Sequence, residues 1–322
     1  MPSVASIPSV PRVLQWDVHR LPNAVGKRVL VTGGNAGIGY FVAEQLAGAG
    51  ATVVLGSRDT GKAEEAIASI ASRVPDARVK HVPLDLADLA SLKASVDALG
   101  LDRLDAVVLN AGVALDHPPR RETKDGHELM FGTNHLGHFA LTHHLAPLLT
   151  TTPGSRVVTT GSFAAKSVRL DLDDLQNTHD YQPKRTYSRS KLAQMLFALE
   201  LDRRLRAAGS TTESVLVHPG GALDSLTPSR PPFHVRTTGE RLSRLPLGLV
   251  VQGKDAAAWP AVRAVLDPSV RGGQMVSPRA FGLRGAPRTE PLWKHLADST
   301  TAARLWAASC DLTGCEPTFT AP

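Results

Sequence analysis

A phenol and an ammonium stand four positions apart in Tyr187-Ser188-Arg189-Ser190-Lys191, inside a stretch whose apolar pattern predicts a helix. On a helix those two side chains share one face. A phenol free in water ionises near pH ~10, and a neighbouring cation favours the phenolate, so such a pair could exchange a proton with an alcohol or carbonyl oxygen near neutrality. Pairs of this kind are also common on solvated helix surfaces, and the elements around this one must decide its meaning.

The first of those elements lies far upstream. Arg28-Val29-Leu30-Val31-Thr32 is short, apolar and β-branched, Gly33-Gly34-Asn35-Ala36-Gly37-Ile38-Gly39 follows it directly, and a helical run occupies 41–46. In a strand, glycine-rich turn and helix, the glycines let the backbone approach a pyrophosphate while the helix N-terminus offers unpaired N–H groups to its charge. A second strand over 52–56 ends at Ser57-Arg58, where such a fold meets the adenosine ribose. An acid there would bind a free 2′-hydroxyl, whereas the Arg58 guanidinium suits a 2′-phosphate and can lie over adenine; NADP(H) is therefore favoured over NAD(H), although Asp59 next door pulls the other way. A third strand over 79–84 leads to Asp85-Leu86, and a fourth over 106–109 leads to Asn110-Ala111-Gly112. Helical patterns lie between them, which predicts a parallel sheet with right-handed crossovers.

Together these segments resemble the short-chain dehydrogenase/reductase family. The TGxxxGxG turn matches Thr32 to Gly39, the NAG motif matches Asn110 to Gly112, and YxxxK matches Tyr187 to Lys191. Thr133-Asn134-His135-Leu136-Gly137-His138-Phe139, Leu172-Asp173-Asp174-Leu175 and Lys191-Leu192-Ala193 narrow the resemblance, which covers roughly 25–220, to the retinol-dehydrogenase-like and WW-domain-oxidoreductase-like branch. It implies an α/β Rossmann-like, doubly wound parallel sheet of about seven strands: one domain over 25–322, preceded by an extension over 1–24.

The resemblance also implies roles. Ser162 falls where the family's catalytic serine ends the fifth strand, and the family asparagine maps onto Asn134, so that Asn134, Ser162, Tyr187 and Lys191 form the catalytic set. Tyr187 would act as general acid/base while hydride passes between nicotinamide and a carbonyl carbon, and Ser162 would donate to the oxygen on which charge grows. Lys191 would lower the Tyr187 pKa and bind the nicotinamide ribose, and Asn134 would hold a water linking Lys191 to solvent. His218-Pro219-Gly220-Gly221 matches the family's PG segment beside the nicotinamide. Taken singly, a strand-end serine and a helix asparagine are more often structural.

The remaining sequence bounds the function. At 322 residues, 42% hydrophobic and 20% charged, the chain is an ordinary soluble globule with room for a sizeable core. No apolar run approaches the roughly 18 to 20 residues that span a bilayer, and the first twenty lack a signal-peptide pattern, so a cytoplasmic protein is expected. The net charge of +6 is scattered among acidic residues, and 5% aromatic content offers few stacking platforms for nucleic acid. Cys310 and Cys315 read as free thiols. His135, His138, His143 and His144 crowd one helix without a convergent Cys or carboxylate set, so no metal is expected.

Residues 223–253 turn irregular, with Pro228, Pro231, Pro232 and Pro246 barring a long helix. In the family this segment covers the substrate. Phe233, Leu242, Leu245, Leu247 and Leu249 could form an apolar wall, and Arg230, Arg236, Arg241 and Arg244 could face an acidic group, though solvated surface is the better reading for the arginines. A helix broken at Pro260 is expected over 254–266, a closing strand over 273–276, a last helix over 291–308, and a tail over 309–322 that packs on the core or serves a partner subunit, with a homo-oligomer one outcome. The expected activity is reversible reduction of a hydrophobic polyketide-like, terpenoid or aromatic carbonyl. The competing class is a catalytically idle NADP-sensing or scaffold protein on the same fold.

Overall fold

The computed structural model describes residues 16–232, 235, 239 and 245–319. Strand β1 (Arg28–Thr32) passes through the glycine turn into α1 (Gly37–Gly48). The alternation continues with β2 (Thr52–Ser57), α2 (Thr60–Ala71), β3 (Arg78–Pro83), α3 (Leu92–Asp97) and β4 (Ala106–Leu109). A short α4 (Leu129–Phe131) and a π turn (Gly132–Leu136) lead into α5 (Gly137–Thr150). Then come β5 (Arg156–Thr160), the long α6 (Pro183–Ala207) and β6 (Glu213–Val217). Helices α7 (Lys254–Ala257) and α8 (Trp259–Leu266), strands β7 (Met275–Ala280) and β8 (Arg284–Glu290), and α9 (Ser299–Thr313) complete the order.

All eight strands form one sheet in the order β3-β2-β1-β4-β5-β6-β7-β8, parallel except for the β7–β8 pair. The order reverses between β1 and β4, and that switch point opens a crevice at the carboxyl ends of the strands. Central strands are buried on both faces, which is why they read as continuous apolar runs. Val29 and Val31 pack with α1 and α8 on one side, while Leu30, Val107 and Leu109 pack with α5 and α6 on the other.

The expected sheet of about seven strands has an eighth at its edge. Arg284–Glu290 is charged and carries Pro287, a composition that hides a strand in sequence yet suits an edge, where half the backbone groups need no partner. The last helix also starts later than expected. Residues Lys294–Ala297 form a separate 3₁₀ turn, Asp298 caps α9 by accepting the Thr301 N–H at 3.0 Å, and Gly314 ends it at φ 66°. Pro260 divides 254–266 as expected and sits in the first turn of α8, where its missing N–H costs nothing.

The tail packs on the core. Phe319 is buried, the Glu316 carboxylate meets Arg204 at 3.0 Å and the Trp306 indole N–H at 3.2 Å, and the Glu316 carbonyl lies 2.6 Å from His143 Nδ1. Cys310 and Cys315 are unbridged, and burial pushes the Cys310 thiol up to about 11.

Candidate active site

A cavity of about 900 Å³ lies over the carboxyl ends of β1, β2 and β4. Gly33, Asn35, Ala36, Gly37, Ile38, Ser57, Arg58, Asp85, Leu86, Asn110, Ala111, Gly112 and Tyr187 all line it, so most of the expected cofactor residues and the expected acid/base share one space, without Gly39, Lys191, Pro219 and Gly220. Gly37 has φ 58° and nothing within 4 Å of the place a Cβ would take, which leaves its backbone open. Gly39 is needed behind the turn: a Cβ there would lie 2.3 Å from the Gly33 carbonyl oxygen. The N-cap of α1 is Ala36, which has no side chain to satisfy the first N–H groups. An uncapped helix start facing a cavity is a ready anion site, and it fits a pyrophosphate.

Thr32 ties this turn to β4. Its Oγ1 accepts the backbone N–H groups of Asn110 at 2.9 Å and Ala111 at 3.0 Å, while the Asn110 amide donates to the Thr32 carbonyl at 3.1 Å. At the far end of the cavity Arg58, with its side chain 61% exposed, comes no closer than 4.0 Å to Asp85. Lys62 lines the same wall and was not singled out from sequence. A signal existed, since a lysine in the first turn of α2 opposes the helix dipole and so calls for another reason to be there. Val113, Ala114, Thr133 and Lys254 also reach the cavity.

The remaining expected residues stand behind this wall or beside it. Asn134 is fully buried in the π turn, a distortion that often marks functional sites. Its amide accepts from the Val113 N–H at 2.7 Å and donates to the Val113 carbonyl at 3.0 Å and to Ser190 Oγ at 2.9 Å, which fixes the chain beyond the Asn110–Gly112 turn. Ser162 follows β5 and its Oγ accepts the Ala164 N–H at 3.2 Å, a contact that does not spend its own O–H. Lys191 is buried, donating to the Thr160 carbonyl at 2.6 Å and to Gln194 Oε1 at 2.5 Å. Burial alone pulls its pKa down to about 7.

Pro219 and Gly220 are not among the residues that line the cavity. Gln252 donates to the Pro219 carbonyl at 3.1 Å, and Gly220, at φ 75°, has the Leu283 carbonyl oxygen 2.4 Å from where a Cβ would stand. In the irregular segment Arg230 forms a bidentate pair with Glu44 of α1 at 2.7 and 2.8 Å, so it is neither solvated nor turned to a substrate. Leu247 and Leu249 are exposed and build no wall. Phe233, Arg236, Arg241, Leu242, Arg244 and the side chain of Leu245 fall outside the described residues.

The histidines have other occupations. His135 meets Ser309 Oγ at 2.7 Å among the rings of Phe131, Phe139 and Phe197, and His138 meets Thr32 Oγ1 at 2.9 Å. Among the described residues no group of three or more His, Cys, Asp or Glu could hold a metal, and no helix is long and apolar enough to cross a membrane.

A switch-point crevice, an uncapped helix start behind a glycine turn, and a tyrosine on the cavity wall with a buried lysine one turn away define a dinucleotide-binding oxidoreductase. The sequence profile of the family described as short chain dehydrogenase matches residues 27–226. The chain is 39% identical to mouse polyprenol dehydrogenase over 301 residues, which cover 91% of this chain and 86% of that protein. It is 36% identical to human retinol dehydrogenase 13, with 90% and 86% covered. The crystal structure of an uncharacterised protein from Mycobacterium paratuberculosis superposes with a TM-score of 0.76 at 36% identity, covering 94% of this chain and 99% of the other. The Pseudomonas aeruginosa RhlG/NADP complex superposes with a TM-score of 0.58 at 25% identity, covering 78% and 94%. The chain belongs to the short-chain dehydrogenase/reductase family, in its retinol-dehydrogenase-like branch.

Proposed function

We propose that this chain is an NADP(H)-dependent oxidoreductase for an apolar alcohol/carbonyl pair, with Tyr187 as its general acid/base. The observation that carries the reading is the shared cavity: Tyr187, the glycine turn and the cations Arg58 and Lys62 at the end of β2 and the start of α2 line one space. When bound, the nicotinamide supplies or accepts the hydride. Gly33 to Ile38 and the α1 N-terminus hold the pyrophosphate, and Arg58 with Lys62 meets the 2′-phosphate. Tyr187 gives its phenolic proton to the substrate oxygen in the reductive direction and takes it back in the oxidative one. Ser162 donates to that same oxygen, a contact that strengthens as negative charge develops there. Lys191 supplies positive charge beneath Tyr187 and a donor for the ribose. Asn134 holds the residues beyond the Asn110–Gly112 turn in place. The names of the relatives, polyprenol and retinol dehydrogenases, favour an apolar alcohol or its aldehyde or ketone.

The test is titration of NADPH and NADH by fluorescence, then turnover over a panel of long-chain, terpenoid and aromatic aldehydes and ketones. Tyr187→Phe should bind NADPH normally and lose reductase turnover; undiminished turnover in that variant defeats the mechanism. Tight NADPH binding with no turnover over the whole panel favours the cofactor-sensing class instead.

A further inference from the structure

Lys191 has an unusual neighbourhood for a buried cation. Among the described residues no carboxylate pairs with it, and both of its acceptors, the Thr160 carbonyl and Gln194 Oε1, are neutral. Gln194 is itself fully buried, three positions further along α6. Its Nε2 lies 3.3 Å from the Leu109 carbonyl and 3.0 Å from His138 Nδ1, and His138 Nε2 lies 2.9 Å from Thr32 Oγ1. The chain Lys191–Gln194–His138–Thr32 therefore runs unbroken beneath the cavity from the lysine to the oxygen that receives the Asn110 and Ala111 N–H groups.

The chemistry of an amide gives that chain a direction. An ammonium has donors only, so a charged Lys191 requires Oε1 of Gln194 on its side and sends Nε2 toward His138. Nε2 is again a donor, so a contact to Nδ1 asks His138 to carry its proton on Nε2, although Thr32 Oγ1 already accepts the Asn110 and Ala111 N–H groups and has its O–H to offer Nε2. The Asn134 carbonyl, 3.0 Å from Nδ1, calls for the opposite tautomer. The ring thus stands between two arrangements, one that accepts from Gln194 and one that donates to the Asn134 carbonyl. Two of the three N–H groups of the ammonium are held by the Thr160 carbonyl and Gln194 Oε1.

We infer that Gln194 and His138 are positioning residues that orient Lys191 and keep it protonated, so that this pair sets the pH range over which the site holds its cofactor. The inference rests on the cofactor reading above. Among the described residues the titratable group that interacts with Lys191 is the His138 imidazole on α5, and Tyr187 stands one turn earlier on α6. His138 is fully buried and held neutral, its pKa pulled down to about 3 mainly by burial. Lys191 is thus the cation whose charge Gln194 controls.

The experiment is NADPH binding to the full chain, followed by fluorescence from pH 6 to 10, for wild type, Gln194→Leu and Gln194→Glu. Gln194→Leu removes the acceptor and should lower the pH at which affinity falls by about one unit. Gln194→Glu puts an anion beside the ammonium and should raise it by about 1 to 3 units. Opposite shifts from one position are not what a loss of packing produces. If Gln194→Leu fails to fold, Gln194→Glu has the same shape and still carries the test. His138→Leu should lower the midpoint, and in combination with Gln194→Leu should add nothing further, because the two act through one chain. A wild-type midpoint left in place by both Gln194 substitutions overturns the inference while the cofactor reading stands. Absence of NADPH binding by the wild type at every pH overturns the reading and the inference with it.

Discussion

Asp59 Oδ2 lies 3.3 Å from the Lys62 ammonium, and Oδ1 of the same carboxylate accepts the Lys62 backbone N–H at 3.0 Å. Asp59 is thereby occupied as the N-cap of α2, and that backbone hydrogen bond is the main reason its carboxyl is held below the usual range. Asp59 lines the same cavity wall as Arg58 and Lys62, but its carboxylate is committed to the start of its own helix. Arg58→Asp should lower the NADPH-over-NADH preference by about 10- to 100-fold, the worth of one charge-assisted contact, and Lys62→Ala by about 5- to 10-fold. Dissociation constants for both nucleotides check this. A preference unchanged in Arg58→Asp would place the 2′-phosphate elsewhere.

Two glycines of α1 should respond in opposite ways to the same change. Gly39→Ala drives a Cβ to 2.3 Å from the Gly33 carbonyl and 2.5 Å from the Asn110 amide, and because one neighbour is backbone the turn itself must move. We expect about 1–3 kcal/mol of destabilisation, with NADPH affinity down by more than tenfold. Gly48→Ala, in the last turn, meets only Val74 Cγ2 at 3.8 Å and should stabilise by about 0.5–1 kcal/mol. Thermal melting and NADPH titration of both variants decide the matter; equal behaviour would mean that the turn tolerates the extra carbon.

Much of this was legible beforehand because it rests on local signals. The strand β1, the glycine turn and α1 announce themselves by apolar run, glycine spacing and helical period, and Tyr187 and Lys191 by a helical interval. Other features depend on distant partners. Arg230 reads as a surface arginine until Glu44, far away in sequence, is seen to pair with it. Arg284–Glu290 reads as loop because an edge strand needs no apolar pattern. Gln194 is one polar residue among apolar ones on α6, and only the fold brings Lys191, Leu109 and His138 around it.

The two buried histidines give a pH dependence with a definite sign. Burial pulls the pKa of both His135 and His138 down to about 3 from 6.5. Between those values the unfolded chain takes up protons that the native state refuses, so stability is fully present above pH 6.5 and is lost as pH falls toward 3. Each histidine contributes a slope of about 1.4 kcal/mol per pH unit within that window. Urea midpoints measured at pH 7, 6 and 5 should fall accordingly. His135→Phe extends the surrounding aromatic cluster and should remove about half of the slope; an unchanged slope in that variant would assign the acid sensitivity to other groups.

The tail should be part of the folded unit rather than an appendage. Phe319 is 5% exposed and packs with the cluster that contains Phe139, Phe197 and Trp306, and the Trp306 ring stacks on Phe197 with centroids 5.8 Å apart. Glu316 closes the same corner, joining Arg204 of α6, Trp306 of α9 and, through its carbonyl, His143 of α5. Ending the chain at Gly314 would uncover that cluster and leave the indole N–H without its carboxylate. Burial of one phenylalanine is worth about 1.5–3 kcal/mol, and the exposed Glu316–Arg204 pair adds little. A chain ending at Gly314 should therefore melt several degrees lower, with most of the loss reproduced by Phe319→Ala alone and little by Glu316→Gln, which keeps an acceptor for Trp306. The cavity lies at the carboxyl ends of the strands and none of its lining residues belongs to the tail, so NADPH affinity at a temperature where both forms are folded should be unchanged. Loss of NADPH affinity in the folded, shortened chain would show instead that the tail acts on the site through α6.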